Sequence, residues 1–266
     1  MIKKQLGQYY TSDKIAKELA FKMSNRYNDK DVLFIEPSAG TGSFVTPLLQ
    51  LNKEVRAIDV EPKHDKVIRG DFLKDSHRIF DGNYSKKIVI GNPPFGKNSS
   101  LAVKFFNVSA EYADEIAFIV PRTFRKISVQ NRLNRNFHIT EDVTLPDNAF
   151  IFDGKSYDVP CAWQIWTRDN KIRPLIKAPK IEHIMDFLPS AENADFAIRR
   201  VGYYAGRVIF KDIQKLSKTT HYFIKEKTKG IRKILAEIDW VDITSQTAGV
   251  RSLSKTELAF KIVRML

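Results

Sequence analysis

The residues of this chain best suited to chemistry form the hexapeptide GNPPFG at 91–96. Its two prolines remove two backbone donors and hold Asn92 in an extended conformation. The corner therefore presents the Asn92 side-chain oxygen and the Pro93 carbonyl as acceptors beside the ring of Phe95. Two acceptors that hold both N–H bonds of an aromatic amine favour a pyramidal nitrogen, whose lone pair can attack an electrophile. This interaction strengthens as charge develops on nitrogen, so it would stabilise the transition state without a general base. The candidate catalytic residues are Asn92, Pro93, Pro94 and Phe95, with Phe95 stacking on the target ring.

A second set of residues could hold a nucleoside. The run EPSAGTGSF at 36–44 is a glycine-rich turn after an apolar stretch, and glycine lets the backbone approach a ligand closely. The turn lacks both the full dinucleotide pattern and the Lys-Ser/Thr ending of a phosphate loop, which favours a nucleoside without phosphates. Asp59 ends the next apolar run, where it could accept both hydroxyls of a ribose. Asp71 and Phe72 follow a third run and could hold an adenine ring.

Short apolar runs alternate with helical patterns along the first part of the chain. The runs are rich in Val and Ile, which is typical of parallel strands buried on both faces, and lie at 32–36, 54–59, 66–70, 87–91, 115–120, 141–145 and 159–166. Helical patterns at 43–51, 99–113 and 123–135 separate several of them. The sequence therefore predicts an α/β fold with a doubly wound, Rossmann-like sheet. In such sheets ligands bind beyond the carboxyl ends of the strands, where the two motif sets fall.

The last hundred residues have a different character. The polar stretch 167–180 contains two prolines and predicts a division into domains 1–168 and 169–266. The second domain should be a smaller α+β region, with a strand pair within 196–210, a strand at 221–225, a helix at 231–238 and a final helix after the capping box Ser254–Glu257.

Charge and composition exclude several classes of protein. The chain carries 44 Lys and Arg against 31 Asp and Glu, a net charge of +13. Residues 167–266 alone carry 20 Lys and Arg and 11 Asp and Glu, a net +9 that favours binding to a polyanion. No apolar run reaches the roughly 18 residues of a membrane helix, and the first residues lack the pattern of a signal peptide. One cysteine and five scattered histidines predict no disulfide framework and no metal site. We therefore expect a cytoplasmic protein that holds no metal and no membrane anchor.

These segments together resemble the Asn-Pro-Pro-aromatic group of N6-adenine DNA methyltransferases, in the arrangement with the target-recognition region last. The likeness covers about two-thirds of the chain and keeps the family's order: GQYYTS (7–12), EPSAGTGSF (36–44), AIDVEP (57–62), GDFL (70–73), GNPPFG (91–96) and AFIVPRTF (117–124). Phe95 stands where the family often has Tyr, a change that stacking tolerates. The resemblance implies a methyltransferase sheet, S-adenosylmethionine as cofactor, double-stranded DNA as substrate, and flipping of the target adenine out of the helix.

The resemblance also implies individual roles. Tyr10 and Thr11 would close over the methionine end of the cofactor, and Asp59 and Asp71 would take its ribose hydroxyls and its adenine amino group. The full cofactor set is Tyr10, Thr11, Glu36, Ala39, Gly40, Asp59, Asp71, Phe72 and Asn92. The family places a second aromatic residue on the far face of the flipped base. Phe150 is our choice, with Phe152 the alternative, and either ring could instead belong to the core.

Six basic residues are candidates for nucleic-acid contacts: Arg122, Arg125, Lys126, Arg199, Arg200 and Arg207. The first three follow an apolar run and could hold phosphates beside the flipped nucleotide, or could start a solvated helix. The other three interleave with Tyr203 and Tyr204, a mixture that could hold DNA backbone and bases. Half-buried strands show the same alternation, so both interpretations stay open.

Other functions share parts of this pattern. An RNA adenine methyltransferase would use the same chemistry on another polyanion. Glutamine methyltransferases of release factors use the same tetrapeptide, but they usually carry an N-terminal helical domain, and here only about 30 residues precede the first strand. A catalytically silent binding subunit would have no need of a cofactor pocket. The GQYYTS opening and the motif order favour DNA. We expect a monomer; the run TAGVRSLSK (247–255) resembles endings of restriction-associated methyltransferases, which leaves a separately encoded restriction enzyme open as a partner.

Overall fold

The computed structural model of the protein describes residues 10–27, 31–152, 155–247 and 249–265, without the side chain of residue 152. The chain forms two compact units. Unit 1 comprises Met1–Phe124 and Ser128–Pro174, and unit 2 comprises Arg125–Ile127 and Leu175–Leu266. The functional division at 168/169 stays a prediction. Within the described ranges, no helix is both long and apolar enough to cross a lipid bilayer.

The secondary structure alternates between strands and short helices. The strands are β1 (Tyr10–Thr11), β2 (Val32–Glu36), β3 (Glu54–Asp59), β4 (Val67–Arg69), β5 (Lys86–Gly91), β6 (Glu115–Pro121), β7 (Phe137–Thr144), β8 (Phe150–Phe152), β9 (Lys155–Tyr157), β10 (Cys161–Arg168), β11 (Met185–Leu188), β12 (Phe196–Arg199), β13 (Val208–Ile209) and β14 (His221–Glu226). The α-helices are α1 (Asp13–Asn25), α2 (Val45–Gln50), α3 (Phe72–Asp75), α4 (His77–Phe80), α5 (Ser100–Tyr112), α6 (Ile127–Gln130), α7 (Ile231–Glu237), α8 (Val241–Thr244) and α9 (Lys255–Val263). Short 3₁₀ turns lie at Lys97–Ser99, Arg122–Arg125 and Ile213–Lys215.

Unit 1 is built on a seven-stranded sheet in the order β4-β3-β2-β5-β6-β10-β7. The pairs β3–β4, β2–β3, β2–β5 and β5–β6 are parallel. All residues of β2 and β6 are buried, as expected of central strands covered on both faces. The predicted α/β class with a doubly wound, Rossmann-like sheet is confirmed. A small antiparallel sheet, β1-β8-β9, lies in the same unit and pairs Thr11 with Phe150.

Two local predictions differ from the structure. The last strand of the large sheet, β10, runs antiparallel to both β6 and β7. The link from β7 to β10 is a hairpin region that contains no helix within its described residues, so the chain returns in the opposite direction. The helix expected over 123–135 is limited to α6 and its preceding turn. After Gln130 the chain turns, and the Asn134 side chain accepts from the backbone N–H of Asn136 in place of a helical hydrogen bond there.

Unit 2 contains an antiparallel sheet in the order β11-β14-β12-β13. Its core brings Phe196, Ile198 and Ile224 from the sheet against Leu235 and Leu258 from the helices. The predicted strand pair, the strand near 221–225 and the helix near 231–238 are all present as β12–β13, β14 and α7. The predicted capping box is also formed, since Ser254 and Glu257 exchange side-chain to backbone hydrogen bonds at the start of α9.

Glu257 has a second role that the sequence did not predict. Its carboxylate lies 3.0 Å from the ammonium of Lys126, and the two side chains are only 10% and 12% exposed. Lys126 also donates to the carbonyl and the hydroxyl of Ser252. The pair therefore ties the start of α9 to the segment 125–127 inside unit 2.

This pair gives a test of unit 2. Glu257→Ala should lower the unfolding free energy of α9 by about 3 kcal/mol, because it removes the cap and leaves a buried ammonium without its counter-charge. Ser254→Ala, the matched control, removes only the cap and should cost about 1 kcal/mol. Amide hydrogen exchange of the α9 peptide measures both values. Equal losses for the two variants would show that the ion pair contributes nothing.

Candidate active site

The carboxyl ends of β2, β3, β4 and β5 surround a cavity of about 320 Å³. Parallel pairing aligns these ends, so the residues that follow each strand meet at one edge of the sheet. The cavity is lined by predicted residues from five of the six motifs, all but 117–124: Tyr10, Gly40, Asp59, Asp71, Phe72, Asn92 and Pro94. The remaining lining residues are Pro37, Ser38, Val60, Glu61, Gly70, Leu73, Leu101 and Phe105. Polar groups from four strand ends thus face one apolar-walled space.

The glycine-rich turn is held against the end of β3 by Asp59. One carboxylate oxygen of Asp59 accepts from the Gly40 N–H at 2.8 Å, and the other accepts from the Glu61 N–H at 2.8 Å. Gly40 has φ +48°, and a Cβ there would lie 3.1 Å from the ring of Tyr10. A side chain at this position would therefore be strained and would crowd Tyr10. Glycine keeps the backbone open to the cavity.

The Asn92 corner is fixed from both sides. The Ser38 hydroxyl donates to the Asn92 carbonyl at 3.3 Å, which joins the corner to the turn after β2. The Phe95 carbonyl accepts from the N–H groups of Leu101 and Ala102 at 3.1 and 3.2 Å, which joins it to α5. Pro94 lines the cavity, while Pro93 and the ring of Phe95 are buried. The corner and the glycine-rich turn therefore form one continuous wall.

Glu36 is a buried carboxyl beneath this wall. It is 3% exposed, and its Oε2 atom has no hydrogen-bond partner among the described residues. Burial raises the pKa of Glu36 well above its ordinary value, and the nearby charge of Asp59 raises this pKa further. The N–H of Val45, which donates to the carboxyl, acts in the opposite direction on the same pKa. A Cβ on Gly91 would lie 3.3 Å from Glu36 Cγ, so Glu36 packs directly against the start of the corner.

The far end of the cavity combines one acidic cap with apolar surfaces. Asp71 caps α3 by accepting from the Leu73 N–H at 3.1 Å, and its second oxygen lies 3.2 Å from the Lys74 ammonium. The ring of Phe72 is buried and packs on Phe105 with centroids 5.3 Å apart. This end therefore suits a flat heteroaromatic ring with an amino group at its edge.

Tyr10 closes one side of the cavity and is held there by Lys63. The Lys63 ammonium donates to the Tyr10 hydroxyl at 3.1 Å and lies 5.2 Å from the ring centroid. The hydrogen bond from Lys63 to Tyr10 raises the pKa of Lys63. Residues 7–9 of the predicted GQYYTS segment lie outside the described residues.

Some predicted residues lie beside the cavity and not on it. Ala39 is buried below the turn, and Thr11 is buried with its hydroxyl unpartnered among the described residues. Thr11 lines a second cavity together with Tyr10 and Ser43. Phe150 pairs with Thr11, and its ring is fully buried in the core of unit 1. Its stacking role stays a prediction, and the side chain of Phe152 lies outside the description.

The predicted basic residues have different environments. In unit 1, Arg122 is half-buried and its Nε atom has no partner among the described residues. In unit 2, the charge of Lys126 is neutralised by Glu257, and Arg125 donates to Gln246. Arg199 donates to a backbone carbonyl at 3.1 Å, and Arg200 lies over the ring of Tyr222. Arg207 is exposed.

Several residues in or beside the cavity were not among the predicted site residues, and Val60, Leu101, Phe105 and Lys63 are examples. Val60 is 57% exposed and lines the cavity. Its position directly after Asp59 is the sequence feature that could have identified it. Leu101 and Phe105 are four residues apart on α5 and face the cavity together. Lys63 could not be found from the sequence, because its contact with Tyr10 joins residues 53 positions apart.

No protein-family model and no curated protein sequence matches the chain. A candidate RNA methyltransferase from Pyrococcus horikoshii is 21% identical with a TM-score of 0.48, and the alignment covers 62% of this chain and 88% of that one. A candidate class I S-adenosylmethionine-dependent methyltransferase from Listeria monocytogenes is 18% identical with a TM-score of 0.45. The modification subunit of a candidate type I restriction enzyme from Vibrio vulnificus is 14% identical with a TM-score of 0.45. These two alignments cover 62% and 61% of this chain, but only 63% and 45% of the other chains, less than two thirds of each.

The raised pKa of Glu36 predicts a pH-dependent stability. Above the pKa of the unfolded chain, unfolding releases the proton that the folded state retains, so stability falls as pH rises towards the folded pKa. Glu36→Gln should therefore raise the melting temperature at pH 8, and this gain should disappear near pH 4. The exposed Glu18→Gln on α1 is the matched control. Thermal unfolding at several pH values measures the difference, and a gain independent of pH would contradict the assignment.

Proposed function

We propose that this protein is an S-adenosylmethionine-dependent methyltransferase that modifies the N6 amino group of adenine in double-stranded DNA. The observation that carries the proposal is the shared cavity. Asn92 and Pro94 line the same space as Asp59 and Asp71, and Ser38 joins the two walls through its hydrogen bond to Asn92. The shared lining supports a site in which acceptors for an amino group lie next to acceptors for a nucleoside.

The residues of the cavity fit the cofactor. Each oxygen of Asp59 accepts one backbone N–H, and a carboxylate has further acceptor sites for ribose hydroxyls. The unpartnered oxygen of Glu36 suits a polar or cationic group, which would favour the ionised carboxylate. Val60, Leu101 and Phe105 supply apolar surface for an adenine ring beside Asp71. When bound, S-adenosylmethionine supplies an electrophilic methyl group on its sulfonium.

The chain's own residues would activate the acceptor nitrogen by orientation. The side-chain oxygen of Asn92 and the carbonyl of Pro93 accept the two N–H bonds of the adenine amino group. The nitrogen lone pair then points away from the ring plane, and both hydrogen bonds strengthen as nitrogen becomes positive. The contacts of Ser38 and Leu101 fix the corner in advance, so little reorganisation is needed during the reaction. The adenine would have to leave the base stack to reach this position.

Charge supports a nucleic-acid substrate. Residues 167–266 carry a net +9, which favours a polyanion over a protein substrate such as a release factor. The resemblance to DNA methyltransferases with a C-terminal recognition region selects DNA.

The reaction itself gives the first test. The protein is incubated with labelled S-adenosylmethionine and with duplex DNA, RNA or a release factor, and the product is analysed. We expect N6-methyladenine in DNA alone. Label in RNA or in glutamine would show that RNA or a protein, and not DNA, is the substrate. No label in any of the three incubations would contradict the proposed activity.

Asn92→Ala should reduce methyl transfer at least a hundredfold, because one acceptor of the amino group is lost. Cofactor affinity, measured by isothermal titration with S-adenosylhomocysteine, should change less than threefold. Asn170→Ala, on an exposed loop, is the control and should leave both quantities unchanged. A collapse of cofactor affinity in Asn92→Ala would show that our division of the cavity is wrong.

Asp59→Ala should have the opposite profile. We expect cofactor affinity to fall at least tenfold, since a carboxylate that would accept ribose hydroxyls is removed. Asp59→Asn retains one acceptor oxygen and should lose less, and the exposed Asp147→Ala should lose nothing. If Asp59→Ala bound the cofactor as tightly as the wild type, the ribose site would lie elsewhere.

A further inference from the structure

Unit 2 displays a pair of tyrosines on the loop between β12 and β13, which we name the tyrosine loop (200–206). Tyr203 is 72% exposed and Tyr204 is 55% exposed. Their ring centroids lie 5.1 Å apart and their planes are perpendicular, at 89°. Two adjacent exposed aromatic rings are surface that folding of unit 2 does not use, which indicates an interaction site.

The tyrosine loop is held in a fixed conformation. The Arg199 N–H donates to the Arg207 carbonyl, and the Gly206 N–H donates back to the Arg199 carbonyl at 2.7 Å. Gly206 has φ +97°, and a Cβ there would lie 2.2 Å from Cγ of Trp240, so the loop packs directly on that buried indole. The two tyrosine rings are therefore presented outward by an anchored backbone, and binding would cost little ordering.

Two arginines lie against the rings. The guanidinium of Arg251 is 4.8 Å from the ring centroid of Tyr203, and that of Arg207 is 5.7 Å from that of Tyr204. Within the described ranges, neither arginine forms an ion pair. The acidic residues Asp186, Asp195 and Glu226 of this unit are instead paired with Lys227, Lys225 and Arg232. Positive charge is thus displayed next to the aromatic surface and not neutralised.

We propose that the tyrosine loop is a DNA-binding element in which Tyr203 stacks on an unpaired base while Arg207 and Arg251 lie against phosphates. Perpendicular rings cannot both lie parallel to one base, and Tyr203 is the more exposed. Its contact with Arg251 leaves a base, a tyrosine and a guanidinium in one stack. Unneutralised arginines favour the phosphates of a nucleic acid over an apolar protein partner. The choice of DNA rests on the proposed function.

The test uses the full chain and a single-stranded DNA of about 20 nucleotides with mixed sequence and one 2-aminopurine, whose fluorescence reports stacking. The wild type should quench the probe on binding. Tyr203→Ala should weaken binding about tenfold and abolish the quenching, whereas Tyr203→Phe keeps the ring and should retain both. Phe21→Ala, which removes a 54% exposed aromatic ring from α1, is the control and should behave as the wild type.

Salt dependence separates the two kinds of contact. Arg251→Gln should reduce the slope of log affinity against log salt by about 0.7, the value for one phosphate contact with a single strand. Tyr203→Ala should lower affinity without changing that slope. Circular dichroism confirms that both variants are folded, which the exposure of Tyr203 makes the expected result.

Several outcomes would overturn the proposal. An affinity of Tyr203→Ala within twofold of that of the wild type would contradict it, and so would unchanged quenching in this variant. Losses of affinity and quenching in Tyr203→Phe as large as those in Tyr203→Ala would also contradict it. Tighter, Tyr203-dependent quenching of an RNA probe of the same sequence would replace DNA as the ligand. The two proposals can fail separately. Tyr203-dependent quenching without methyl transfer would contradict only the proposed activity. Formation of N6-methyladenine without Tyr203-dependent quenching would contradict only the proposed binding element.

Discussion

Parallel strand pairing is the constraint on which the proposed active site depends. Because β2 pairs in parallel with both β3 and β5, the chain leaves all three strands at the same edge of the sheet. This register brings Glu36, Asp59 and Asn92 to the same edge of the sheet. The fixed corner at Asn92 is then secured by Ser38 on one side and by α5 on the other. A shift in any of the three strands would separate the proposed acceptors for an amino group from the proposed acceptors for a nucleoside.

The same arrangement has an electrostatic cost. Burial of Glu36 and the nearby charge of Asp59 both disfavour ionisation of the Glu36 carboxyl. One oxygen of this carboxyl also has no hydrogen-bond partner among the described residues. A buried carboxyl oxygen without a hydrogen-bond partner lowers the stability of the folded chain. A polar ligand bound to this oxygen would offset that loss of stability. Tyr10 and Lys63 form a second polar contact at the cavity edge, where a hydrogen bond holds the ring beside Gly40. The cavity is therefore organised before a ligand arrives.

Much of the sheet and of the cavity could be predicted, because buried strands leave continuous apolar runs and their polar ends stand out. Asp59 and Asn92 were found in this way. The direction of β10 could not be predicted, since a strand buried on both faces has the same composition in either direction. The contact between Lys126 and Glu257 was missed because it joins distant segments, and basic residues after a strand look alike whether paired or solvated. The burial of the Phe150 ring likewise follows from tertiary packing, which a local pattern does not contain.

The two units would have different roles in the proposed activity. Unit 1 contains the apolar-walled cavity proposed for the reaction, and unit 2 has a basic surface with exposed aromatic rings that suits a polyanion. The most direct test of the central claim is a crystal structure of the protein with S-adenosylhomocysteine. We predict that the ribose hydroxyls contact the Asp59 carboxylate, that the adenine lies beside Asp71 and Val60, and that the sulfur faces the Asn92 corner. A ligand bound outside this cavity, or with its sulfur directed away from Asn92, would contradict it.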